Sequence, residues 1–442
     1  MALKPEAARL SKLLVDSGFG EDFEQAQRQI DGLTLEIVVG DGSSNPAAHA
    51  AVLTAVSVGG RCFGGGVRVT GRVNQPVISA LPVRGPSLAD ATADLGARPL
   101  TGEADFTVVI GRAAPIAGRL GIAARWGGWM AGVRALDTGE DIGGDSLNPL
   151  AGVAAGALGV AAAFDHVRGQ ASGDRVDVDL WGSGKPPMFS DVLLPGAIWI
   201  IGLGNLGQAF LWALGSLPYA DPAKVLLHVQ DFDRVTAENW GTSVLVEHGR
   251  YGALKNKVVE DWIERRGFDV RRIDRRLLPS DRIWTNEPTL AFSGVDKIGA
   301  RRDMAGVGFK AIIDAGLGRT AGDFDKFRVN VFEAERPIDR HFADVPETKP
   351  AELPANAAYE ALEASVGRCG AAEIGGASVA VPHVSALATA MAVSRAIALI
   401  SGQPVPFSEI RRTGGPTMVR QPIFTQIDGS QLRHAGRPFW PR

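Results

Sequence analysis

Two kinds of apolar segment alternate along the chain. Short runs of β-branched and aromatic residues, such as TLEIVV at 34–39 and AIWII at 197–201, predict buried strands. Longer runs rich in alanine, such as NPLAGVAAGALGVAAAF at 148–164, predict helices packed inside the protein. Strands and helices that alternate in this way are typical of parallel sheets. The pattern therefore predicts an α/β protein with largely parallel sheets.

The two halves of the chain repeat one order of predicted elements. In the first half a strand is followed by Gly40 and Gly42. Further strands come next, and then an Ala-rich helix that begins at Pro149. The second half runs in the same order, from the strand before Gly202 to an Ala-rich helix led by Pro382. The repetition predicts two Rossmann-like halves that form a pseudo-dimer, although any two doubly wound domains share such an order.

The predicted boundary between the halves lies near residue 190. Gly, Pro and Ser are concentrated at 181–187, just before the strand at 197–201. We expect a first domain at 1–190, a second domain at 191–402, and a C-terminal extension at 403–442 that resembles neither half.

Composition excludes several classes of protein. The 46 basic residues nearly balance the 49 acidic ones and form no single block, so neither a nucleic-acid nor a membrane partner is indicated. Two cysteines, Cys62 and Cys369, are too few for a disulfide framework or paired CxxC zinc ligands. The N-terminal segment predicts a short amphipathic helix without a secretory apolar run, and the most apolar tract, 151–164, is shorter than a membrane span. We expect a cytoplasmic protein.

A glycine-rich turn follows the first strand of the second half. Gly202 permits the tight turn, Gly204 allows close approach of a phosphate, and Gly207 allows close packing of helix on strand. The free N–H groups at the start of the following helix attract an anion. Alone, the motif indicates equally a dinucleotide enzyme or a structural turn.

Motifs further along the chain resolve this ambiguity. Asp231 and Asp233 follow the next strand in the order DFDRV, and Asn239, GALK ending at Lys255, and SGVD ending at Asp296 come after them. This ordered set, over about residues 197–402, resembles the adenylating superfamily of ubiquitin-activating enzymes and ThiF- and MoeB-type enzymes. The resemblance implies that the second half binds ATP and Mg²⁺.

The resemblance also implies roles for single residues. Asp231 is expected to bind the ribose of ATP, Asn239 and Lys255 the phosphates, and Asp296 the Mg²⁺. The full set of expected ATP-binding residues is Gly202, Gly204, Asn205, Gly207, Asp231, Asp233, Asn239 and Lys255. Taken singly, each has a structural alternative, such as a solvated strand end, an exposed lysine, or a cap by Asp296 of a helix that begins near Ile298.

The sequence departs from the family pattern at two places. Thr242 stands where the family has an arginine. The family also uses an arginine from the partner half, and the first half is the candidate source of it here, although the sequence does not indicate which arginine. The turn in the first half lacks a third spaced glycine and places Asp41 where a phosphate would approach. We expect the first half to be an inactive scaffold that does not bind ATP.

The segment Arg368-Cys369-Gly370 precedes the second Ala-rich helix. It resembles the loop of bacterial ThiF-type activating enzymes that carries a Cys-Gly, and the resemblance implies that Cys369 is catalytic and accepts a thioester. An adjacent arginine favours the nucleophilic thiolate. The alternative is an inert, buried thiol, which we expect for Cys62, and we expect His383 to be a packed or capping residue.

These expectations combine into one function. ATP adenylates the C-terminal carboxylate of a ubiquitin-like protein, Cys369 accepts it as a thioester, and a conjugating enzyme receives it. By resemblance this belongs to a bacterial conjugation pathway, such as one in phage defence, run by a monomeric pseudo-dimer or a homodimer. Three alternatives stay open: a ThiF-type adenylating enzyme without a thioester, an NAD-dependent oxidoreductase, and an inactive scaffold that binds a ubiquitin-like partner, which the Thr242 departure favours.

Overall fold

A computed structural model describes residues 3–112, 119–136, 138–170, 175–347 and 353–440. The strands form two large sheets, and a layer of helices lies between these sheets. The elements of the first half are α1 (Ala8–Asp16), α2 (Phe23–Gly32), β1 (Thr34–Val39), α3 (Pro46–Cys62), β2 (Gly66–Gly71), α4 (Leu88–Asp94), β3 (Phe106–Ile110), β4 (Gly121–Gly127), β5 (Met130–Ala135), α5 (Pro149–Val167) and β6 (Arg175–Asp179).

The remaining residues form a second set of elements. These are β7 (Ala197–Ile201), α6 (Asn205–Gly215), β8 (Leu226–Gln230), α7 (Lys255–Glu264), β9 (Asp269–Ile273), β10 (Leu290–Ser293), α8 (Ile298–Arg302), β11 (Ala311–Leu317), β12 (Lys326–Phe332), α9 (Ile338–His341), α10 (Ala357–Gly376), α11 (Pro382–Ile400), β13 (Val405–Pro406), β14 (Ser408–Arg412), β15 (Thr417–Arg420) and β16 (Phe424–Thr425). The two-residue strands β13 and β16 pair with each other.

The two sheets share one topology. The first has the strand order β2-β1-β3-β4-β5-β6, and the second has the order β15-β14-β12-β11-β10-β7-β8-β9. Strands β1 to β5 therefore correspond to β7, β8, β10, β11 and β12, and β6 corresponds to β14, while β9 and β15 are extra edge strands. The α/β class and the two-half architecture predicted from the sequence are confirmed.

The prediction of largely parallel sheets holds only for one side of each sheet. Strands β2, β1, β3 and β4 are parallel, whereas β5 and β6 run antiparallel to their neighbours. In the second sheet β12, β14 and β15 are antiparallel in the same way. For β4 and β5 the cause is connection length: only Gly128 and Trp129 separate them, and so short a link cannot hold the crossover that parallel strands need.

Helices α3, α5, α6 and α11 join the halves. Small residues let α5 lie directly on α3, since a side chain added at Gly152 or Gly156 would place its Cβ 1.9 Å or 2.3 Å from a carbonyl oxygen of α3. The Trp212 indole donates to the hydroxyl of Thr54 at 2.9 Å, which links α6 to α3. One apolar core therefore runs through both halves.

Two of these helices, α5 and α11, are long and apolar enough to span a membrane by length and composition. Their most apolar windows are 83% and 100% buried within the protein, respectively. Both helices are therefore central core helices of this fold, as the sequence pattern predicted for the tract at 151–164.

The chain beyond residue 402 contributes to the second half. Strands β14 and β15 extend its sheet, and the following segment returns to the start of β7, where Ala435 donates its N–H to Leu194 at 2.9 Å. On β14, Glu409 is buried and forms an ion pair with Arg395 of α11 at 3.1 Å. The domain boundaries at 190 and 402 stay a prediction.

Candidate active site

A cleft of about 880 Å³ opens in the second half, where β7, β8 and β10 end. The predicted site residues that line it are Gly202, Gly204, Asn205, Asp231, Asp233, Asn239 and Asp296. Three predicted site residues, Gly207, Lys255 and Cys369, do not line it. The cleft lies at the carboxyl ends of parallel strands, where doubly wound sheets bind their ligands.

The glycine turn has the geometry predicted from the sequence. Gly202 has a φ of +83°, which favours glycine, and a Cβ at Gly207 would lie 2.0 Å from the carbonyl oxygen of Gly202. A Cβ at Gly204 would meet no atom within 4 Å, so this residue faces open space in the cleft. No side chain caps the N-terminus of α6, which begins directly after Gly204.

Asp231, at the end of β8, holds the glycine turn in place. Its carboxylate accepts the N–H of Leu203 at 2.6 Å and the N–H of Asp233 at 2.8 Å. Burial raises the pKa of Asp231, and the nearby ammonium of Lys255 is the largest influence that opposes the rise. The residue predicted to bind ribose is therefore also a structural link between β8 and the turn.

Lys255 begins α7 and is connected to the cleft through Asp233. Its ammonium lies 3.0 Å from a carboxylate oxygen of Asp233, and its backbone N–H donates to the Asp233 carbonyl at 2.9 Å. Its side chain is only 13% exposed, which argues against an exposed lysine on a helix surface. The Asp233 side chain is 52% exposed, so the pair presents its carboxylate to the cleft.

Buried Asn256 was missed by the sequence reasoning. Its amide nitrogen donates to the carbonyl of Asp231 and to the carboxylate of Asp274, both at 2.6 Å. It thereby ties α7 to the end of β8. The signal in the sequence is only a polar residue at the start of an amphipathic helix, which is too common to distinguish it.

Asn239 ends a short 3₁₀ turn and lines the cleft with Thr242. The side chain of Asn239 accepts the N–H of Thr236 at 3.0 Å, which fixes the turn. Thr242, which stands at the position of the family arginine, is buried and its hydroxyl lies 3.5 Å from the Asn239 carbonyl. No positive charge reaches the cleft from this position.

Asp296 lies between β10 and α8 with its carboxylate exposed at the cleft. Helix α8 begins at Ile298, as predicted, but its N-cap residue is Lys297, without a side-chain cap, so Asp296 does not cap it. Among the described residues, no group of three His, Cys, Asp or Glu side chains is arranged to hold a metal ion. One carboxylate suits Mg²⁺ that is bound mainly through substrate phosphates.

A buried ionic cluster supports the wall behind Asp296. Asp314 of β11 is fully buried and accepts hydrogen bonds at 2.7 Å from Ser293 and from the guanidinium of Arg301. Arg328 of β12 lies 3.6 Å from its other oxygen. The sequence reasoning did not single out Asp314, because its partners come from other strands and from α8.

One arginine of the first half reaches the cleft. Arg9 of α1 lines the cleft, donates to the carbonyl of Ser378 at 3.0 Å and lies 3.7 Å from the carboxylate of Glu238. The sequence made the first half the candidate source of such an arginine but did not indicate which one. Only the fold brings residue 9 beside residue 378.

The prediction of a loop around Cys369 is wrong, because Cys369 lies in α10 and is exposed. This helix is broken at Gly367, where φ is 77° and ψ is 163°. Residues 359 and 375 would be about 24 Å apart in a straight helix, yet a Cβ at Gly375 would lie 3.2 Å from the ring of Tyr359. Helix α10 is therefore a helical hairpin, and Cys369 follows its tip.

The hairpin rests on α1. The Tyr359 hydroxyl donates to Asp16 at 2.8 Å and accepts from Lys12 at 3.2 Å, and its ring packs on Phe23. The arm before the break, AAYEALEAS at 357–365, is rich in helix-forming residues, and Gly367 confines the break to one position, so that the chain is helical again at Cys369.

Cys62 and His383 form a buried contact between the halves. The Cys62 sulfur lies 3.6 Å from Nδ1 of His383, and both residues are almost fully buried. Burial raises the pKa of the Cys62 thiol to about 12 and lowers that of His383 to about 3. Both groups are therefore neutral, as expected of the packed residues predicted at these positions.

Together, the fold and the cleft define a two-domain E1-like protein. The chain belongs to the BilD family: the family profile of the BilD N-terminal domain matches residues 34–179, and that of the BilD C-terminal domain matches residues 194–403. The bacterial E1-like protein BilD of Collimonas sp. (strain OK412) is 32% identical over 412 residues, which cover 89% of this chain and 88% of the relative.

Solved structures resemble the chain more distantly. E. coli MccB with succinimide and MccB with ATP are 12% and 13% identical, with TM-scores of 0.32 and 0.31. Each alignment covers 54% of this chain, and covers 66% and 67% of the MccB chains. Likeness at this level adds nothing to the family assignment.

Proposed function

We propose that the protein uses ATP to adenylate the C-terminal carboxylate of a ubiquitin-like protein. The observation that carries the proposal is the cleft itself, in which an uncapped helix start, Gly204 and the Asp231-Asp233 segment lie together at the ends of parallel strands. This arrangement suits a nucleotide, because unpaired N–H groups bind phosphate and a carboxylate binds ribose hydroxyls. E1-like relatives supply the reaction class.

The chemistry requires activation, since a carboxylate is a poor electrophile. An oxygen of the partner's carboxylate attacks the α-phosphorus of ATP, an acyl-adenylate forms, and pyrophosphate leaves. Lys255, released from Asp233, neutralises charge that develops on the phosphates. Mg²⁺, held by Asp296 and the phosphates, supplies further charge neutralisation when it is bound.

Arg9 takes the place of the arginine that Thr242 does not provide. Its guanidinium reaches the cleft from the first half and lies beside residues that line the cleft. A guanidinium binds phosphate oxygens in two-point fashion, so Arg9 suits the outer phosphates. In this proposal the first half has no ATP of its own and contributes one side chain to the other half.

The second step transfers the acyl group to Cys369. Its thiolate attacks the acyl carbon of the adenylate, the thioester forms, AMP leaves with the electron pair of the broken bond, and the thiol proton goes to solvent. A conjugating enzyme then receives the acyl group. Cys369 does not line the cleft, so the hairpin that carries it moves toward the adenylate in this scheme.

A second candidate function follows from the same observation. Because Cys369 lies outside the cleft, an adenylating enzyme without a thioester step fits the described residues as well. Such an enzyme retains ATP binding and pyrophosphate release and has no use for the exposed thiol.

The test separates the two steps. ATP–pyrophosphate exchange is measured with the partner protein, and intact mass is measured for the parent, for Cys369→Ala and for Cys62→Ala. We expect exchange in all three and a thiol-sensitive adduct in the parent and in Cys62→Ala only. If the parent protein shows exchange but no adduct, the second candidate, an adenylating enzyme without a thioester step, is supported. If no ubiquitin-like partner gives exchange, the proposal is wrong.

A further inference from the structure

Asn205 holds its side chain in a fixed orientation at the start of α6. It is the first residue of the helix and lines the cleft beside Gly204. Its carbonyl oxygen Oδ1 accepts a hydrogen bond from the hydroxyl of Ser385 at 2.5 Å. Its amide nitrogen Nδ2 is buried and has no hydrogen-bond partner among the described residues.

Ser385 comes from another element, the first turn of α11. It is fully buried, and its Oγ also lies 2.9 Å from the carbonyl oxygen of Pro382. Helix α11 packs on α6 and on α5 of the first half, so the serine hydroxyl has a rigid support. The bond to Oδ1 leaves the NH₂ group as the part of the Asn205 amide that is free.

An unpaired buried NH₂ group is costly. Such a donor loses its hydrogen bonds to water and gains none in the protein, which argues that a ligand supplies the missing acceptor. The neighbouring group is an uncapped helix N-terminus, where an anion is favoured. A phosphate oxygen satisfies both.

We propose that Ser385 is a positioning residue that turns the Asn205 amide so that its NH₂ group donates to a phosphate of ATP. The inference rests on the proposed function. It adds a neutral donor to a cleft in which position 242 contributes no charge. It also makes α11, a helix shared by both halves, part of the support of the phosphate site.

A double-mutant cycle with equilibrium ATP affinity as the readout tests this inference. Asn205→Ala is expected to weaken Mg·ATP binding about tenfold, because it removes a hydrogen bond to a charged group. Ser385→Ala is expected to weaken it about threefold or more, because the amide is then free to rotate away. In the Asn205→Ala background the Ser385→Ala change should have no further effect.

Ser394→Ala is the matched control. Ser394 is equally buried on α11, but its hydroxyl bonds only to the Ala390 carbonyl of the same helix, at 2.8 Å. Asn205→Asp replaces the donor with a negative charge and should weaken ATP binding more than Asn205→Ala. Because Asn205 lines the cleft, this variant reports on the site even if Ser385→Ala folds poorly.

The outcomes are distinct. Coupling between the two sites, with an unaffected Ser394→Ala, supports the inference. Additive effects, or equal losses of ATP affinity in Ser385→Ala and Ser394→Ala, overturn the inference. The proposed function stands in that case, because the parent protein still binds ATP. A parent that does not bind ATP overturns both.

Discussion

The two halves have equivalent strand-to-helix turns, but the turns differ in whether their N–H groups are hydrogen-bonded within the protein. In the first half, Asn45 caps α3 by accepting the N–H of Ala48 at 2.9 Å, and Pro46 removes another donor. Asp41 exchanges two backbone hydrogen bonds with Arg112 and pairs with Arg72. The donors of this turn are therefore occupied by hydrogen bonds within the first half.

The turn of the second half leaves its donors open. Gly204 occupies the N-cap position of α6, no side chain caps the helix, and the space at the Gly204 Cβ is empty. The carboxylate of Asp231 holds the turn from behind by accepting the Leu203 N–H. The two turns therefore share one topology and differ in their capping residue, which leaves the N–H groups free for an anion in the second half alone.

Gly204→Val should produce the largest effect. Its backbone lies in an extended region open to any residue, so the variant should fold, but the valine methyl groups fill the phosphate path. We expect loss of the thermal stabilisation by Mg·ATP, with an affinity loss on the order of a hundredfold or more. NAD should stabilise neither protein, and stabilisation by NAD would favour the oxidoreductase alternative.

Ser44→Val is the matched change in the first half. Ser44 is exposed in the equivalent turn. ATP stabilisation should be the same as in the parent, and a loss there would show that the closed turn also binds nucleotide.

Lys255→Ala is expected to lower ATP–pyrophosphate exchange about a hundredfold, because its ammonium no longer meets the developing charge on the phosphates. Lys257→Ala on the same helix removes an ammonium that pairs with Glu260 and Asp261 instead. Exchange should be unchanged in that control. If Lys255→Ala exchanges at the rate of the parent protein, Lys255 has no role in the mechanism. In the same way, exchange at the parental rate by Asp296→Ala would contradict the proposed role of Asp296 in binding Mg²⁺.

Arg9→Ala tests whether the first half contributes to the cleft of the second. We expect exchange to fall about tenfold, consistent with loss of one charged hydrogen-bond donor to phosphate. Arg28→Ala serves as the control, since Arg28 lies on α2 in a surface pair with Glu24. Equal exchange in the two variants would leave the first half as scaffold only.

The last expected effect concerns stability instead of ATP binding and lies at the junction of the halves, where Asp165 of α5 lies among Arg168, Asp325 and Arg412. Burial raises the pKa of Asp165 to about 6. The folded state then binds the proton more tightly than the unfolded chain, so stability is greatest below about pH 4 for this group and falls as pH rises to about 6.

The size of this contribution is up to about 3 kcal/mol, at about 1.4 kcal/mol for each pKa unit. Asp165→Asn should flatten the pH dependence of the unfolding free energy between pH 4 and 6, measured by urea titration. An unchanged slope relative to the parent would contradict the assignment.

Local features of the site were predictable from the sequence. The glycine turn, Asp231 and Asp233 are neighbours of a strand in the chain, so spacing alone places them at one edge of a sheet. The doubled topology was predictable for the same reason, since each half repeats its own order of strands and helices.

The contacts that were missed join distant parts of the chain. Arg9 meets Ser378, and Asn205 meets Ser385, only after the halves have packed. The hairpin at Cys369 was missed because glycines near a helix indicate a loop as readily as a single sharp turn. Which of several glycines breaks a helix depends on the surface that the helix packs against.

The return of the chain from β15 to the start of β7 has a consequence for folding during synthesis. The first sheet is complete once residue 179 has been made, whereas the second needs β14, β15 and the segment that bonds to Leu194. Domains generally form in the order in which the ribosome delivers them. The cleft should therefore be among the last regions to become ordered. A nascent chain that stalls before residue 408 carries a finished first sheet but lacks two strands of the sheet that supports the cleft.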